Sequence, residues 1–295
     1  MELLRRRHLI LNCPAACGNR HLSAASGLIV DGGRMFVIGD DETSLGVFPA
    51  EGDTPGKLVD LLPEDLPRDP ALRKASKPDF ESLFRIPSAE TGQLQLCALG
   101  SGSTHRRRRA AVITIDHRGD VARIDVLDMA ALFAALDKAV AEVNIEGAIV
   151  RGDELLLFNR GNNLRPQNTI ITVNLAQALS GGNVDILASS PIDLPTMSGV
   201  PLCVTDACAM NDGSILISAV AEDTDDSYRD GAVIGAAICV LTSDLRLDRI
   251  EKLSSPIKIE GIQGWREDRS IHVIAVSDPD DPAQPGGLFD CTMPA

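Results

Sequence analysis

The stretch Ile145-Glu146-Gly147-Ala148-Ile149-Val150-Arg151-Gly152-Asp153, followed by Glu154-Leu155-Leu156-Leu157-Phe158-Asn159, reads as strand, tight turn, strand. Near copies recur along the chain. They are Ala25–Val30 with Met35–Ile38, Phe80–Ile86 with Leu94–Cys97, Thr205–Met210 with Ile215–Ile217, and Ile259–Gln263 with Ile271–Val276. Taking Ser26, Glu81, Glu146, Asp206 and Glu260 as equivalent, the intervals are 55, 65, 60 and 54 residues, close to the 59 that is one fifth of 295. A near-constant period with turn signals in register is the mark of a radial repeat.

The first four copies each carry two further strand-like runs, for example Thr169–Val173 and Val184–Leu187 after the third. Four strands per copy make a propeller blade. The fifth copy has only Gly287–Cys291 before the chain ends, while Leu4–Leu11 is an orphan strand at the start. Pairing the two ends closes the ring and removes an open edge. The expectation is an all-β, five-bladed β-propeller over residues 1–295, with six blades as the alternative if the long second interval hides a degenerate one. Asp128 to Val143 has apolar spacing of three and four and reads as an inserted helix. Leu175–Leu179 reads as a helical turn ended by Gly181-Gly182, and Glu64 to Lys77 as a surface connection.

Strand direction locates the chemistry. The loop between the second and third strands returns to the face where the innermost strand starts. The column Ser26, Glu81, Glu146, Asp206 and Glu260 should therefore ring one channel mouth. The polar loops Asp40–Thr43, Ser101–Arg109, Asn159–Asn163, Glu222–Arg229 and Asp278–Asp281 crowd around it. Carboxylates that converge repel one another unless something neutralises them. Three readings are open: acids holding exposed backbone N–H groups, a hard divalent cation such as Ca²⁺, or catalysis. On the second and third, Glu81, Glu146, Asp206 and Glu260 are metal ligands, and Glu146, Glu260 and Asp206 are catalytic candidates. Arg107, Arg160, Ser103 and Asn162 would bind a small anionic substrate.

Composition narrows the partners. A formal net charge of −14 disfavours nucleic acid, which needs a basic face. Aromatic residues are only 3% of the chain, with Trp265 and Tyr228 single of their kind, which argues against stacking platforms. No lysine follows Gly100–Thr104 at phosphate-loop spacing, so no nucleotide cofactor is expected. Seven cysteines, an odd number mostly within apolar runs, suit a reducing compartment. Asn12 and Cys13 cut the Leu9-Ile10-Leu11 run far short of a signal segment, and no run spans a membrane, so a cytoplasmic protein without a membrane partner is expected.

In the repeats Ile145-Glu146-Gly147 and Ile259-Glu260-Gly261, and in Gly100–Thr104 with its arginines, the chain resembles uncharacterised bacterial β-propeller proteins related to phytase-like and phytase-esterase-like domains. That resemblance implies a propeller over nearly the whole chain and, in its exported phytase relatives, carboxylates that hold several Ca²⁺ ions. Two functions remain in view: a metal-assisted hydrolase of a phosphate ester, lactone or ester, and a non-catalytic scaffold whose polar face binds a ligand or protein.

Overall fold

The computed structural model describes every residue except Asp65, Ala89 and 226–230, so Tyr228 and the part of the acidic loop from Asp226 to Arg229 lie outside the described residues. After β1 (Leu4–His8), blade 1 is β2 (Ala25–Asp31), β3 (Arg34–Gly39), β4 (Ser44–Pro49) and β5 (Lys57–Asp60). Blade 2 is β6 (Phe80–Ile86), β7 (Leu94–Gly100), β8 (Arg109–Ile115) and β9 (Val121–Asp128). Blade 3 is β10 (Ile145–Arg151), β11 (Glu154–Asn159), β12 (Asn168–Asn174) and β13 (Ile186–Ile192). Blade 4 adds a short β14 (Thr196–Met197) to β15 (Val200–Ala209), β16 (Ile215–Asp223), β17 (Ala232–Leu241) and β18 (Leu247–Lys252). Blade 5 is β19 (Ile259–Glu267), β20 (Ser270–Ser277) and β21 (Gly287–Pro294), completed by β1.

The fold is the five-bladed β-propeller expected, closed by the two chain ends. β1 runs antiparallel to β21, with Leu4 opposite Asp290 and His8 opposite Gly287, and Arg6 Nε donates to Asp290 Oδ2 at 2.7 Å across the seam. The six-blade alternative is overturned. The long interval between blades 2 and 3 is filled by a helix, α2 (Ala130–Ala139) in chain order after α1 (Pro70–Ser76). α2 is shorter than the expected 128–143. Asp128 Oδ1 still accepts from Ala130 N at 2.9 Å, but the chain turns extended at Val140. The expected surface connection at 64–77 also needs correcting, because α1 forms within it. Asp69 accepts from Leu72 N at 2.9 Å, supplying an N-terminal cap. The turn after β12 is the expected helix, α3 (Leu175–Leu179).

The strands read as continuous apolar runs because both faces of each blade are covered. On β11, Leu155 and Leu157 pack toward blade 2 and α2, whereas Leu156 and Phe158 pack toward blade 4. Side-chain alternation along a strand thus supplies two interfaces from one run. Hydrophobic burial between blades holds the ring and fixes the innermost strands β2, β6, β10, β15 and β19 about a common axis.

Candidate functional site

The innermost strands share a β-bulge near their starts. The pairing register with the second strand skips Ser26, Glu81, Glu146, Thr205 and Glu260 in blades 1 to 5. A bulged residue is released from the ladder, and its side chain can be re-aimed. The fourth member is Thr205, not Asp206, so the sequence alignment slipped by one residue in blade 4. It slipped because the acid, not the ladder, was matched: Asp206 stands where blades 1, 3 and 5 have Gly27, Gly147 and Gly261. The ring therefore holds three acids and two hydroxyls.

Just outside the ring, in blades 1, 2, 3 and 5, the residue two before the bulge takes a backbone bond from the returning loop. Asp40 N donates to Ala24 O, Ser101 N to Asp79 O, Arg160 N to Asn144 O and Asp278 N to Lys258 O, all at 2.9–3.0 Å. These bonds bring Asp40, Ser101, Arg160 and Asp278 to the same mouth as the ring, and Lys77, Asp79 and Lys258 with them.

Arg160 joins three blades. Its guanidinium lies 3.4 Å from Glu146 Oε2, 2.5 Å from Glu222 Oε2 and 3.9 Å from Glu260 Oε1. Lys258 Nζ lies 3.2 Å from Glu260 Oε1, 2.6 Å from Asp280 Oδ1 and 3.8 Å from Asp278 Oδ2. Lys77 pairs with Asp40, and with Asp79 Oδ1 at 2.9 Å. The other oxygen of Asp79 accepts from Ser101 Oγ at 2.5 Å and from Arg107 at 2.7 Å. From α1, Arg73 reaches Glu42 at 3.0 Å. Each of these carboxylates has a cation against it. Glu81 differs: among the described residues it makes no hydrogen bond and no ion pair, although it is only 9% exposed.

Proton affinities follow that geometry. Burial, then Glu146, Asp79, Asp40 and Glu260, push Glu81 well above the usual carboxylate range. Burial raises Glu146 against the pull of Arg160 and Lys258, and raises Glu260 further against Lys258. For Glu222 burial acts upward too, but Arg160 and Lys258 outweigh it and hold the group low. The nearest carboxylate has claimed most of the guanidinium charge. On the rim, burial and acid neighbours lift Asp41 to about 6, Glu42 to about 7 and Asp278 to about 7.

The other expected site residues fall in different places. Asp206 is buried, and its two oxygens accept from Ala207 N and Ile262 N at 2.7 Å each, so it clasps blades 4 and 5. That is the backbone-binding reading, realised at this one acid. Arg107 is buried against Asp79 and Ser103, the latter at 2.9 Å. Asn162 donates to Glu142 Oε2 at 3.1 Å and accepts from Arg165 N, beside a separate 230 Å³ hollow. Lys77, Asp79 and Lys258 were missed by sequence reasoning. A signal existed: Asp79 and Lys258 stand two before Glu81 and Glu260, on the same side of a strand.

A 430 Å³ pocket opens on this face between blades 5 and 1, lined by Asp40, Asp41, Arg73, Lys77, Asp278 and Asp280 among others. At the far end of the axis, Leu28, Leu83, Ala148 and Ile262, together with Arg85 and Gln263, line a hollow of 210 Å³.

Residues 21–293 match the model of the family of unknown function DUF6929. The chain belongs to this family. No curated protein matches the DUF6929 chain. Solved structures similar to it include an endo-arabinase from Bacteroides thetaiotaomicron, 11% identical, covering 96% of each chain with a TM-score of 0.46. An exo-β-1,3-galactanase from Phanerochaete chrysosporium is 8% identical over 99% of this chain and 64% of its own, with a TM-score of 0.46. A luciferin-regenerating enzyme is 9% identical over 92% and 91%, with a TM-score of 0.43. At such distances no chemistry passes from them to the DUF6929 chain. None of its described helices is long and apolar enough to cross a membrane.

Proposed function

We propose that the charged mouth is the working site and that the protein is a metal-assisted hydrolase of a small phosphate ester, ester or lactone. The observation that carries this reading is the pair Glu146 and Glu260 against one nitrogen of Arg160, Nη1, at 3.4 and 3.9 Å. Both carboxyls are buried and raised, so one can carry the proton a leaving group needs while the other, ionised, takes a proton from water. Arg160 and Arg107 would orient the substrate, with Ser103 beside Arg107 as a neutral donor. A hard cation at the acidic mouth would supply Lewis acidity. The phytase-esterase-like resemblance of the repeats agrees with this class of substrate. Seven free cysteines support a cytoplasmic setting.

A second reading, a non-catalytic binder, is favoured by one feature. Arg107, Arg160 and Lys258 already touch internal carboxylates, so an anionic ligand must compete for them. The test is turnover of chromogenic phosphate monoesters, carboxylic esters and lactones with Ca²⁺, Mg²⁺ or Mn²⁺ present. The hydrolase reading expects activity that falls by about 10²-fold or more in Glu146→Gln or Glu260→Gln with the melting temperature retained. No turnover of any class by the intact chain would leave the binder.

A further inference from the structure

The mouth is not evenly neutralised. Glu146 and Glu260 have Arg160 and Lys258, but in blade 2 the ammonium of Lys77 is spent on Asp40 and Asp79 instead of Glu81. Carboxylate oxygens of Asp40, Asp79 and Glu81 lie within 4.8 Å of one another. Small side-chain rotations would bring three oxygens so gathered to the roughly 2.4 Å that a hard cation takes. The three come from separate places: Asp40 from the loop after β3, Asp79 from the residue ahead of β6, and Glu81 from the β6 bulge.

We propose that Asp40, Asp79 and Glu81 bind one hard divalent cation, with Lys77 as the competing internal charge. Two arrangements support this beyond the gathering of acids. Glu81 is nine-tenths buried, unpartnered among the described residues, and directed at the other two carboxylates. Asp79 is held by its neighbours: Ser101 and Arg107 occupy Oδ2, and Lys77, the charge a cation would displace, lies 2.9 Å from Oδ1. Outer hydrogen bonds of that kind orient a metal-binding carboxylate and raise affinity. The donor set is all oxygen, which selects Ca²⁺, Mg²⁺ or Mn²⁺ over thiophilic metals. This set replaces the one expected from sequence. Asp206 is committed to two backbone N–H groups, and Glu146 and Glu260 to Arg160 and Lys258.

The proposal deepens the hydrolase reading by placing its cation, yet it is tested without turnover. The full chain, stripped with a chelator, is titrated calorimetrically with CaCl₂, MgCl₂ and MnCl₂ in turn. One of them is expected to bind one-to-one. Glu81→Gln should weaken it by at least about tenfold, and Lys77→Met should bind it more tightly, with a larger rise in melting temperature on adding the salt. Glu146→Gln, which abolishes turnover under the hydrolase reading, keeps all three ligands and removes only a neighbouring like charge, so it should still bind one ion. Binding that Glu81→Gln leaves intact, or no binding of any of the three ions by the intact chain and by Lys77→Met, overturns the site whatever the enzyme assay shows. Turnover without metal binding would leave the hydrolase reading standing alone.

Discussion

Arg160 and Glu222 meet at 2.5 Å across the seam between blades 3 and 4, and the same guanidinium reaches Glu146 in its own blade and Glu260 in blade 5. One side chain therefore neutralises acids from three blades at a point where all are out of water. Removing it should be costly, because uncompensated charges are left buried.

Arg160→Met is expected to destabilise the protein by about 3–5 kcal/mol, the usual cost of breaking a buried ion pair from one side. Arg160→Lys should recover only part, since an ammonium cannot fork to three carboxylates. Urea unfolding with unchanged slope measures both. Wild-type stability in the methionine variant would show that the network contributes nothing to the ring.

Asp206 and Glu81 should respond in opposite directions. Asp206→Ala leaves the N–H groups of Ala207 and Ile262 buried without an acceptor, at about 1–3 kcal/mol each. Glu81→Gln removes a carboxyl that repels its neighbours and breaks no hydrogen bond or ion pair among the described residues, so in metal-free protein it should not lower the melting temperature. Paired thermal melts decide it; a loss in Glu81→Gln as large as that in Asp206→Ala would mean that Glu81 has a structural partner.

Much of this was legible in the sequence because a radial repeat writes its period and its turns locally. Blade count, closure by Leu4–His8 and the polar mouth all follow from spacing and strand direction. Ladder register is different. Matching acid to acid placed Asp206 in the ring, although the bulge falls at Thr205, because the skipped residue is defined by pairing with β16 and not by its own side chain. Lys77 was hidden for another reason: it reaches the mouth from the segment after α1, whose position depends on tertiary packing.

Glycine beside the bulge sets how closely the inner strands approach. A Cβ on Gly147 would lie 2.8 Å from Ala207 N, a backbone atom with no freedom to move aside. Gly147→Ala should therefore cost about 1–3 kcal/mol through overpacking at the axis, despite the better intrinsic propensity of alanine. Thermal unfolding of the variant, against Gly152→Ala in the open turn as a control for backbone strain alone, separates the two effects.

Stability should fall as pH rises from about 5 to 8, opposite to the trend set by ordinary salt-bridged carboxylates. Burial, with Asp40 and Asp280, lifts Asp278 to about 7 against the pull of Lys258, and burial with Asp41 lifts Glu42 to about 7 against Arg73. Unfolded carboxyls titrate near 4, so between about 4 and 7 the folded chain holds more protons than the unfolded one. The contribution is complete below that window and is lost as pH climbs through 7. Lys77 and Lys258, raised above their ordinary values, lose protons only at more alkaline pH, and Glu222 and Asp79, held low, gain them only in stronger acid. The limb between 5 and 8 therefore belongs to the raised acids. Melting temperature should be higher at pH 5.5 than at pH 8 by a few degrees, on the order of 1 kcal/mol or more in a domain of this size. Asp278→Asn, which keeps the acceptor for Asp280 N, should flatten the slope. A profile that rises toward pH 8 would mean that Lys258 and Arg73 outweigh burial and the acid neighbours and hold these carboxyls ionised in the folded protein.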